Sequence, residues 1–407
     1  MMWSPHRCVR PMRPSRMRLT VIMTHPVQYY SPWFRHITAQ RPELELTVLY
    51  AIQPSPEQQA VGFGGAFQWD VPLLEGHRHQ VIRLSRPGDE LHSGNYRGVD
   101  VPEMVSAMWK TRPDVVLVPG WQSITLVRAL RACRERGVPA LYRGDTHWLS
   151  GPRGWRRLPW ILKTRWRLGH YSAWLAVGQR SRDYLHRMGC PSQRIFSSPH
   201  CVDNDFFASG AAAHQTPAGR EAVRATFELG PADFVVLFVG KVEAVKRPLQ
   251  VIQAMARLQP GVALLLVGTG PLEEQCRSEA RRLGVRVTWA GFLNQTGISR
   301  AYAASDCLTL PSHETWGLVV NEAMATGLPC VVSDRVGCAP DLVTPSQTGE
   351  VVPLDDVAAL AHGLETIRLR RAGGHDYSAA CRDRVAHYSY ATATCGLAAA
   401  CRSILAG

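Results

Sequence analysis

The stretch CLTLPSHETWGLVVNEAMATGLPCVVSD, residues 307–334, reads as a complete strand, helix and strand. The apolar runs CLTLP and PCVVS have the length of buried strands. Between them, LVVNEAMAT has helical composition and ends at Gly327, a residue type common just after helix C-termini. Two strands joined through a helix predict a parallel sheet covered by helices.

The same alternation runs through the rest of the chain. In the first half, strand-like runs at 18–24, 44–51, 114–120 and 138–144 alternate with amphipathic segments. A small, polar segment with Pro and Gly at 208–219 has the composition of a linker, and a second strand-helix series follows it. We therefore predict an α/β fold with two successive doubly wound parallel-sheet domains.

The predicted boundaries follow these changes in pattern. They are a disordered extension (1–16), a first Rossmann-like domain (17–207), a linker with a short helix leading onward (208–232), a second Rossmann-like domain (233–380) and a C-terminal helical segment (381–407).

Composition and cysteine usage narrow the class of protein. The 407 residues are 45% hydrophobic and 19% charged, which favours a large core over global disorder. The apolar runs are too short to span a membrane, and no N-terminal stretch has a signal-peptide core. Eleven cysteines include no CxxC motif and no zinc-spaced histidine, so we expect reduced cysteines and a cytoplasmic location.

The net charge of +13 is carried by the first half of the chain. Residues 1–200 contain 28 Lys and Arg against 13 Asp and Glu, whereas residues 201–407 contain 18 against 20. This asymmetry favours an anionic partner for the first half: nucleic acid, a membrane surface or an acidic substrate. High genomic GC content is the alternative source of arginine, but it does not explain the asymmetry.

Two carboxylates flank a glycine at the start of the helix in the opening stretch. The first amides of that helix, at Gly317, Leu318 and Val319, have no intrahelical acceptor and form an anion site with the helix macrodipole. Helical side chains lean toward the N-terminus, so we expect Glu322 near that end, beside Glu314 in the preceding loop. A diphosphate on the amides, a ribose on one carboxylate and a hexose on the other fit this pattern. Alternatively, the two are ordinary loop and helix charges.

A cationic loop follows the strand at 234–240. Gly240 ends this strand, and Lys241 and Lys246 lie in the loop that leads to the next helix. Open α/β sheets bind ligands at the carboxyl ends of their strands, where two lysines could neutralise a diphosphate leaving group. Solvated surface lysines are the alternative.

These motifs, in this order, resemble the GT-B retaining glycosyltransferases of family 4, the glycosyl transferases group 1. The resemblance spans about 235–355. The matching positions are Gly240-Lys241, Lys246, Gly268–Pro271, Gly291-Phe292, Tyr302–Asp306, Pro311-Ser312, Glu314, Gly317–Val319, Glu322–Ala325, Gly327–Pro329, Gly349 and Val352-Pro353.

The resemblance implies two Rossmann-like domains facing a central cleft, the GT-B architecture. It also implies that Glu314 contacts the transferred sugar, Glu322 the ribose, and Lys241 and Lys246 the diphosphate. Lys241 stands where the family usually has arginine, so the charge is kept and the forked geometry is lost. The segment 388–405 is similar to the family's C-terminal helix, which packs back across the first domain.

The acceptor-binding half resembles the family less closely. In THPVQYYSPWF, residues 24–34, the usual Gly-rich loop is replaced by His25, Gln28, Tyr29 and Tyr30; of these we select His25, Gln28 and Tyr29 as candidate acceptor-binding residues. This segment and SPHCVDNDFF, residues 198–207, look like the variant of a subset of bacterial members. Ordinary packing at a helix start is the alternative.

A candidate acid/base pair lies in YRGDTHW, residues 142–148. Many family members have a His-Asp pair here, but this chain has Asp145 at the histidine position and His147 two residues later. We predict that Asp145 accepts the proton of the acceptor hydroxyl with His147 as its partner. Structural caps are the alternative.

Residues 151–170, GPRGWRRLPWILKTRWRLGH, contain six basic residues, three tryptophans and no acid. Cations with Trp and Leu at helical spacing suit the surface of an anionic membrane. An ordinary cationic helix is an equal alternative, and nucleic acid is the least favoured partner.

Together these patterns predict a retaining hexosyltransferase. It would move a hexose from a nucleoside-diphosphate sugar to a hydroxyl of a glycan or lipid-linked acceptor in bacterial cell-envelope or exopolysaccharide synthesis. No DxD-like motif has a suitable context, so we expect no metal and no cofactor. The alternatives are a sugar-nucleotide epimerase or hydrolase, which needs no acceptor, and a non-enzymatic polyanion-binding protein with steep salt dependence.

Overall fold

The computed structural model describes residues 16–60, 64–91, 94–214, 216–258 and 260–405. Of the predicted disordered extension, residues 1–15 lie outside these ranges. The described chain forms two parallel sheets, each covered by helices.

The first sheet has seven parallel strands in the order β3-β2-β1-β4-β5-β6-β7. Its strands are apolar and its central ones are buried on both faces, as parallel sheets between helical layers require. The elements are β1 (Met17–Met23), α1 (Ser31–Gln40), β2 (Leu44–Gln53), α2 (Pro56–Gln59), β3 (His79–Leu84), α3 (Met104–Lys110), β4 (Val115–Val118), α4 (Ile124–Glu135), β5 (Ala140–Gly144), α5 (Arg157–Leu168), β6 (Ala173–Ala176), α6 (Gln179–Arg187) and β7 (Ile195–Ser197).

Two helices connect the sheets, α7 (Asn204–Ala212) and α8 (Pro217–Thr226). The segment predicted as a linker from residue 208 therefore begins inside a helix. Asp203 caps α7 by accepting a hydrogen bond from the Phe206 amide (3.0 Å), and the alanines that follow favour helix. Phe207 is buried in the core of the second domain, and α7 packs on α11 and α12 of that domain.

The second sheet has six parallel strands in the order β10-β9-β8-β11-β12-β13. Its elements are β8 (Phe234–Val239), α9 (Pro248–Met255), β9 (Val262–Val267), α10 (Glu273–Leu283), β10 (Val287–Gly291), α11 (Gln295–Ala304), β11 (Cys307–Leu310), α12 (Leu318–Ala325), β12 (Cys330–Ser333), α13 (Ala339–Leu342), β13 (Gly349–Val352), α14 (Val357–Ala372) and α15 (Ser378–Ala386).

The last helix, α16 (Tyr390–Leu405), returns to the first domain and packs on β6, β7 and α1. Its apolar face joins the core of the first sheet through Leu397 and Ala398. A buried hydrogen bond from the Trp33 indole nitrogen to the Thr394 hydroxyl (3.0 Å) ties it to α1. The two domains are thus linked both through α7 and α8 and through the C-terminal segment.

Strand order explains where the cleft lies. In each sheet the order reverses beside the first strand of the domain, where β1 meets β4 and β8 meets β11. Crevices open at the carboxyl ends of such strands, and these two ends face each other across the domain interface. This two-domain arrangement is the expected GT-B architecture. None of the described helices combines the length and apolar character needed to cross a bilayer.

Candidate functional site

A cavity of about 430 Å³, which we name the cleft cavity, lies between the two domains. The loop after β11 and the start of α12 form one wall, and the loops after β1 and β5 form the other. Nine residues that the sequence selected line it: Gln28, Tyr29, Asp145, Lys246, Glu314, Gly317, Leu318, Val319 and Glu322.

The backbone at Gly317 sets the start of α12. This residue has φ +105°, and a Cβ there would lie 3.0 Å from both Leu310 Cδ2 and Val336 Cγ1. This conformation and this space favour glycine, so the chain can turn sharply here, and the first residues of α12 line the cavity. The macrodipole adds partial positive charge at the same point.

Glu322 lies one turn into α12, and its carboxylate is buried. The Tyr302 hydroxyl donates a 2.6 Å hydrogen bond to Glu322 Oε2. Burial raises the pKa of Glu322 to about 7, although the bond from Tyr302 opposes the shift. A carboxylate with so little water around it gains strongly from new hydroxyl donors, and a ribose diol supplies two.

Glu314 and Lys246 form an ion pair across the cavity wall, both mostly buried. The Ser312 hydroxyl also donates to Glu314 Oε1 at 2.9 Å. The pair joins the loop after β8 to the loop after β11, so a cation and a carboxylate are both fixed beside the N-terminus of α12. A sugar diphosphate could meet the ammonium with its phosphates and the carboxylate with its hydroxyls.

Gly240 and Lys241 lie at the end of β8, in the same loop as Lys246, but they are not among the residues that line the cleft cavity. Of the two predicted diphosphate-binding lysines, the structure therefore brings only Lys246 to the cavity wall.

A larger cavity of about 1030 Å³, the first-domain cavity, adjoins the cleft cavity. His25 lines it, and burial lowers the pKa of this histidine to about 4. Of the predicted acceptor-binding residues, Gln28 lines only the cleft cavity and His25 only the first-domain cavity. Four residues line both: Tyr29, Asp145, His200 and Thr315.

Asp145 lies at the junction of the two cavities. The Thr315 hydroxyl of the second domain donates a 2.7 Å hydrogen bond to Asp145 Oδ2, and His200 Nε2 lies 3.9 Å from the same oxygen. Burial and the nearby Arg143 guanidinium lower the pKa of His200 well below its ordinary value. A carboxylate and a neutral imidazole therefore meet where the two cavities join.

His147, predicted as the partner of Asp145, lies outside both cavities. Its side chain is buried, Nδ1 accepts from the Leu149 amide (3.2 Å), and Nε2 lies 3.1 Å from the Glu314 carbonyl oxygen. Both ring nitrogens are thus engaged with backbone, which favours the capping alternative for this residue. The imidazole within 4 Å of the Asp145 carboxylate is that of His200.

Sequence reasoning missed His200, Arg143 and Trp316. Arg143 is a buried cation that donates to the Tyr30 hydroxyl (2.9 Å) and the Pro199 carbonyl (2.9 Å), so it fixes the segment that carries His200. Trp316 packs edge-on against the His200 ring, 5.8 Å between centroids. The unusual segment 198–207 was the available signal for His200, but nothing in it indicated Asp145 as a neighbour.

The described residues contain no group of three His, Cys, Asp or Glu side chains arranged to hold a metal ion.

Comparisons with known proteins agree with this geometry. The family model described as Glycosyl transferases group 1 matches residues 219–380, and the model Glycosyltransferase Family 4 matches residues 44–206. The D-inositol 3-phosphate glycosyltransferase of Mycobacteroides abscessus is 34% identical over 186 residues, which are 44% of this chain and 41% of that protein. The matched part is thus about two fifths of that relative's length.

Solved structures resemble the whole fold. Sucrose-phosphate synthase from Thermosynechococcus elongatus has a TM-score of 0.73 at 19% identity, covering 96% of this chain and 100% of its own. HepE from Anabaena, solved with UDP-glucose, has a TM-score of 0.68 at 16% identity, covering 94% and 98%. At such identities the likeness concerns the fold alone. The two family models together span both domains, and the chain belongs to the glycosyl transferases group 1 with GT-B architecture.

Proposed function

We propose that this protein is a retaining glycosyltransferase that moves a hexose from a nucleoside-diphosphate sugar to the hydroxyl of a glycan or lipid-linked acceptor. The observation that carries the proposal is the cleft cavity, where Lys246, Glu314, Glu322 and the amide end of α12 converge. This set offers a partner for each part of the donor: cation and amides for the diphosphate, and carboxylates for ribose and hexose.

In the proposed reaction the bond between the anomeric carbon and the donor phosphate breaks, and a bond from that carbon to the acceptor oxygen forms. Negative charge grows on the departing diphosphate, where Lys246 and the start of α12 stabilise it. Asp145, where the first-domain cavity joins the cleft cavity, accepts the proton of the acceptor hydroxyl. His200 takes the neighbouring position that the sequence assigned to His147.

The donor that we would test first is UDP-glucose, because a structural neighbour was solved with it. The family resemblance supports retention of the anomeric configuration. We also propose metal independence, since fixed cations and amides can balance the diphosphate charge. A role in bacterial cell-envelope or exopolysaccharide synthesis, on the cytoplasmic side, fits the cationic first half.

The test is thermal shift against a panel of nucleoside-diphosphate sugars in EDTA, with wild type and Glu322→Ala. We expect one nucleotide to raise the melting temperature of wild type and to have little effect on the variant. No shift with any nucleotide sugar at millimolar concentration would contradict the proposal. Sugar release at full rate without any acceptor would point to the hydrolase alternative.

We further propose that the exposed face of α5 rests on an anionic membrane surface. Leu158, Leu162 and Trp166 follow one another at helical spacing on α5, Trp155 precedes them in the turn before the helix, and each of the four is 62–80% exposed. Arginines interleave with them. Apolar side chains that enter the interface and cations that meet anionic headgroups are the pattern of an interfacial helix.

Vesicle co-sedimentation tests the membrane proposal, with phosphatidylcholine vesicles with and without phosphatidylglycerol. We expect binding only to anionic vesicles, reduced by salt and by Leu158→Ser with Leu162→Ser. The matched control is Leu84→Ser with Leu369→Ser, which removes two equally exposed leucines elsewhere. An equal loss of vesicle binding in both double variants, or no vesicle binding by wild type, would argue against α5 as the membrane-binding face.

A further inference from the structure

The first-domain cavity has chemistry that the proposed transfer reaction does not yet use. Its lining includes Lys163 and Arg167, one turn apart on α5, and Trp121 in the loop after β4. These residues lie on the same cavity as Asp145, which marks its inner end at the cleft cavity. Whatever fills the first-domain cavity therefore reaches from the reacting position to α5.

The two cations are available to a ligand. Lys163 is exposed and Arg167 half-buried, and neither is paired with a carboxylate among the described residues. The Arg167 guanidinium lies 5.6 Å from the centre of the Trp121 ring, which restricts its orientation. Glu90, the other acid of the lining besides Asp145, is engaged by the Asn95 amide at 2.9 Å.

Trp121 adds an aromatic ring to the lining that contacts both β5, the strand leading to Asp145, and Arg167 of α5. Its ring stacks on Tyr142, 5.6 Å between centroids, and the Tyr171 hydroxyl holds the neighbouring Gly120 carbonyl at 3.0 Å. Ser123, which caps the N-terminus of α4, lies on the same wall, so the partial positive charge of that helix end is close to the cavity. A sugar ring on Trp121 would thus have its reacting hydroxyl near Asp145 and its other end near three sources of positive charge.

The position of Lys163 and Arg167 on α5 indicates what lies beyond the outer end of the first-domain cavity. Lys163 and Arg167 each follow directly after a residue of the exposed apolar stripe, Leu162 and Trp166. The cationic edge on the cavity is therefore next to the face proposed to meet the membrane. A group held by Lys163 and Arg167 lies at the border between the cavity and that surface.

We propose that the acceptor carries a phosphate or diphosphate on the side of its sugar opposite to the reacting hydroxyl, and that Lys163 and Arg167 bind this group. The inference rests on the proposed transferase function and names the class of its acceptor. Two sources share this chemistry, a sugar joined to a lipid through phosphate and a soluble sugar phosphate.

Calorimetric titration with three probes tests the proposal: farnesyl phosphate, farnesol and glucose 1-phosphate. We expect wild type to bind farnesyl phosphate at least tenfold more tightly than farnesol. Lys163→Gln with Arg167→Gln should abolish this preference, while Arg131→Gln with Arg134→Gln, which removes two charges from the exposed end of α4, should keep it. The single variant Arg167→Lys, which retains the charge, should keep most of it.

The probes also separate the two sources. Binding of glucose 1-phosphate that the double variant loses indicates a soluble acceptor, and a preference confined to farnesyl phosphate indicates a lipid-linked one. No preference for phosphate in wild type, or an unchanged preference in the double variant, would overturn the inference. Thermal shifts with UDP-glucose on the same proteins test the donor site separately. If UDP-glucose raises the melting temperature but wild type does not prefer farnesyl phosphate to farnesol, only the proposed class of acceptor is refuted.

Discussion

At the scale of single residues, the proposed donor site contains two carboxylates with little exposure to water, Glu314 and Glu322. Glu322 is buried against Tyr302, and its pKa is raised to about 7, above the ordinary 4.5. Between pH 4.5 and 7 the folded protein keeps Glu322 protonated, whereas the unfolded chain ionises it. The contribution of this group to the free energy of unfolding is therefore complete below about pH 4.5 and is lost as the pH rises to 7. The cost of ionisation is on the order of 3 kcal/mol, which hydroxyl donors from a nucleotide would offset.

This arrangement predicts a pH-dependent donor affinity. A ribose diol donates to the ionised carboxylate, so binding should be strong above pH 7 and weaken as Glu322 takes up its proton below 7. We expect the Kd for UDP-glucose to rise about tenfold from pH 8 to pH 6. Calorimetry on wild type and Glu322→Gln checks this, since the variant should bind weakly with no such slope. A parallel slope in both proteins would assign the effect to another group.

Lys246 should affect the reaction more than binding. In the proposed reaction its ammonium stabilises the phosphate that gains charge as the sugar leaves, so we expect Lys246→Met to lower kcat by about 10²–10³ with a smaller change in KM. The control is Lys110→Met, an exposed lysine at the end of α3, which should behave as wild type. A change confined to KM would mean that Lys246 only holds the ground-state donor.

At the scale of elements, the start of α12 decides whether its amides reach the donor. The strand β11 ends, the loop 311–316 presents Glu314, and the turn at Gly317 redirects the chain into the helix. The helix by itself is short, so its position depends on packing between Leu310 and Val336 and on the left-handed glycine. Loop, turn and helix therefore act as one unit.

Substitution at this turn should be costly. Gly317→Ala places a Cβ 3.0 Å from two side chains at φ +105°, so we expect a loss of about 1–3 kcal/mol in unfolding free energy and a weakened UDP-glucose shift. The matched control is Gly297→Ala in α11, where the nearest atom is 4.0 Å away. This variant should be neutral or more stable by about 0.5–1 kcal/mol. Urea denaturation of both proteins distinguishes local strain from a general intolerance of alanine.

At the scale of the whole molecule, the site exists only where the domains meet. Trp316 of the second domain donates from its indole nitrogen to Asn321 (2.9 Å) and packs on His200 of the first. The Gln179 amide donates to Asp341 (2.9 Å) across the same interface. The hydrogen bond from the Thr315 hydroxyl to Asp145 joins the two domains where the cavities meet.

A substitution that separates the two domains at this interface should reduce activity without unfolding either domain. A Cβ on Gly178 would lie 2.3 Å from the Trp316 ring, although the extended backbone there accepts any residue. We expect Gly178→Ala to lower kcat/KM by about tenfold or more, because Asp145 and the donor lose their alignment. Small-angle scattering should show a larger radius of gyration than for Gly65→Ala, whose Cβ meets no atom within 4 Å. Equal radii with full activity would contradict a rigid interface.

The sequence pattern by itself determined the two parallel-sheet domains and the group of Lys246, Glu314, Glu322 and the start of α12, and the family resemblance added Gln28, Tyr29 and Asp145. These features are local: strand and helix periodicity, glycine at a turn and carboxylates beside a helix start all act within a few residues of the chain. Only the tertiary structure shows that His200 lies 3.9 Å from Asp145, that Lys246 and not Lys241 lines the cleft cavity, and that α7 packs with the second domain. Each of these depends on contacts between segments far apart in sequence. The spacing of residues along the chain does not indicate which distant side chains become neighbours when the protein folds.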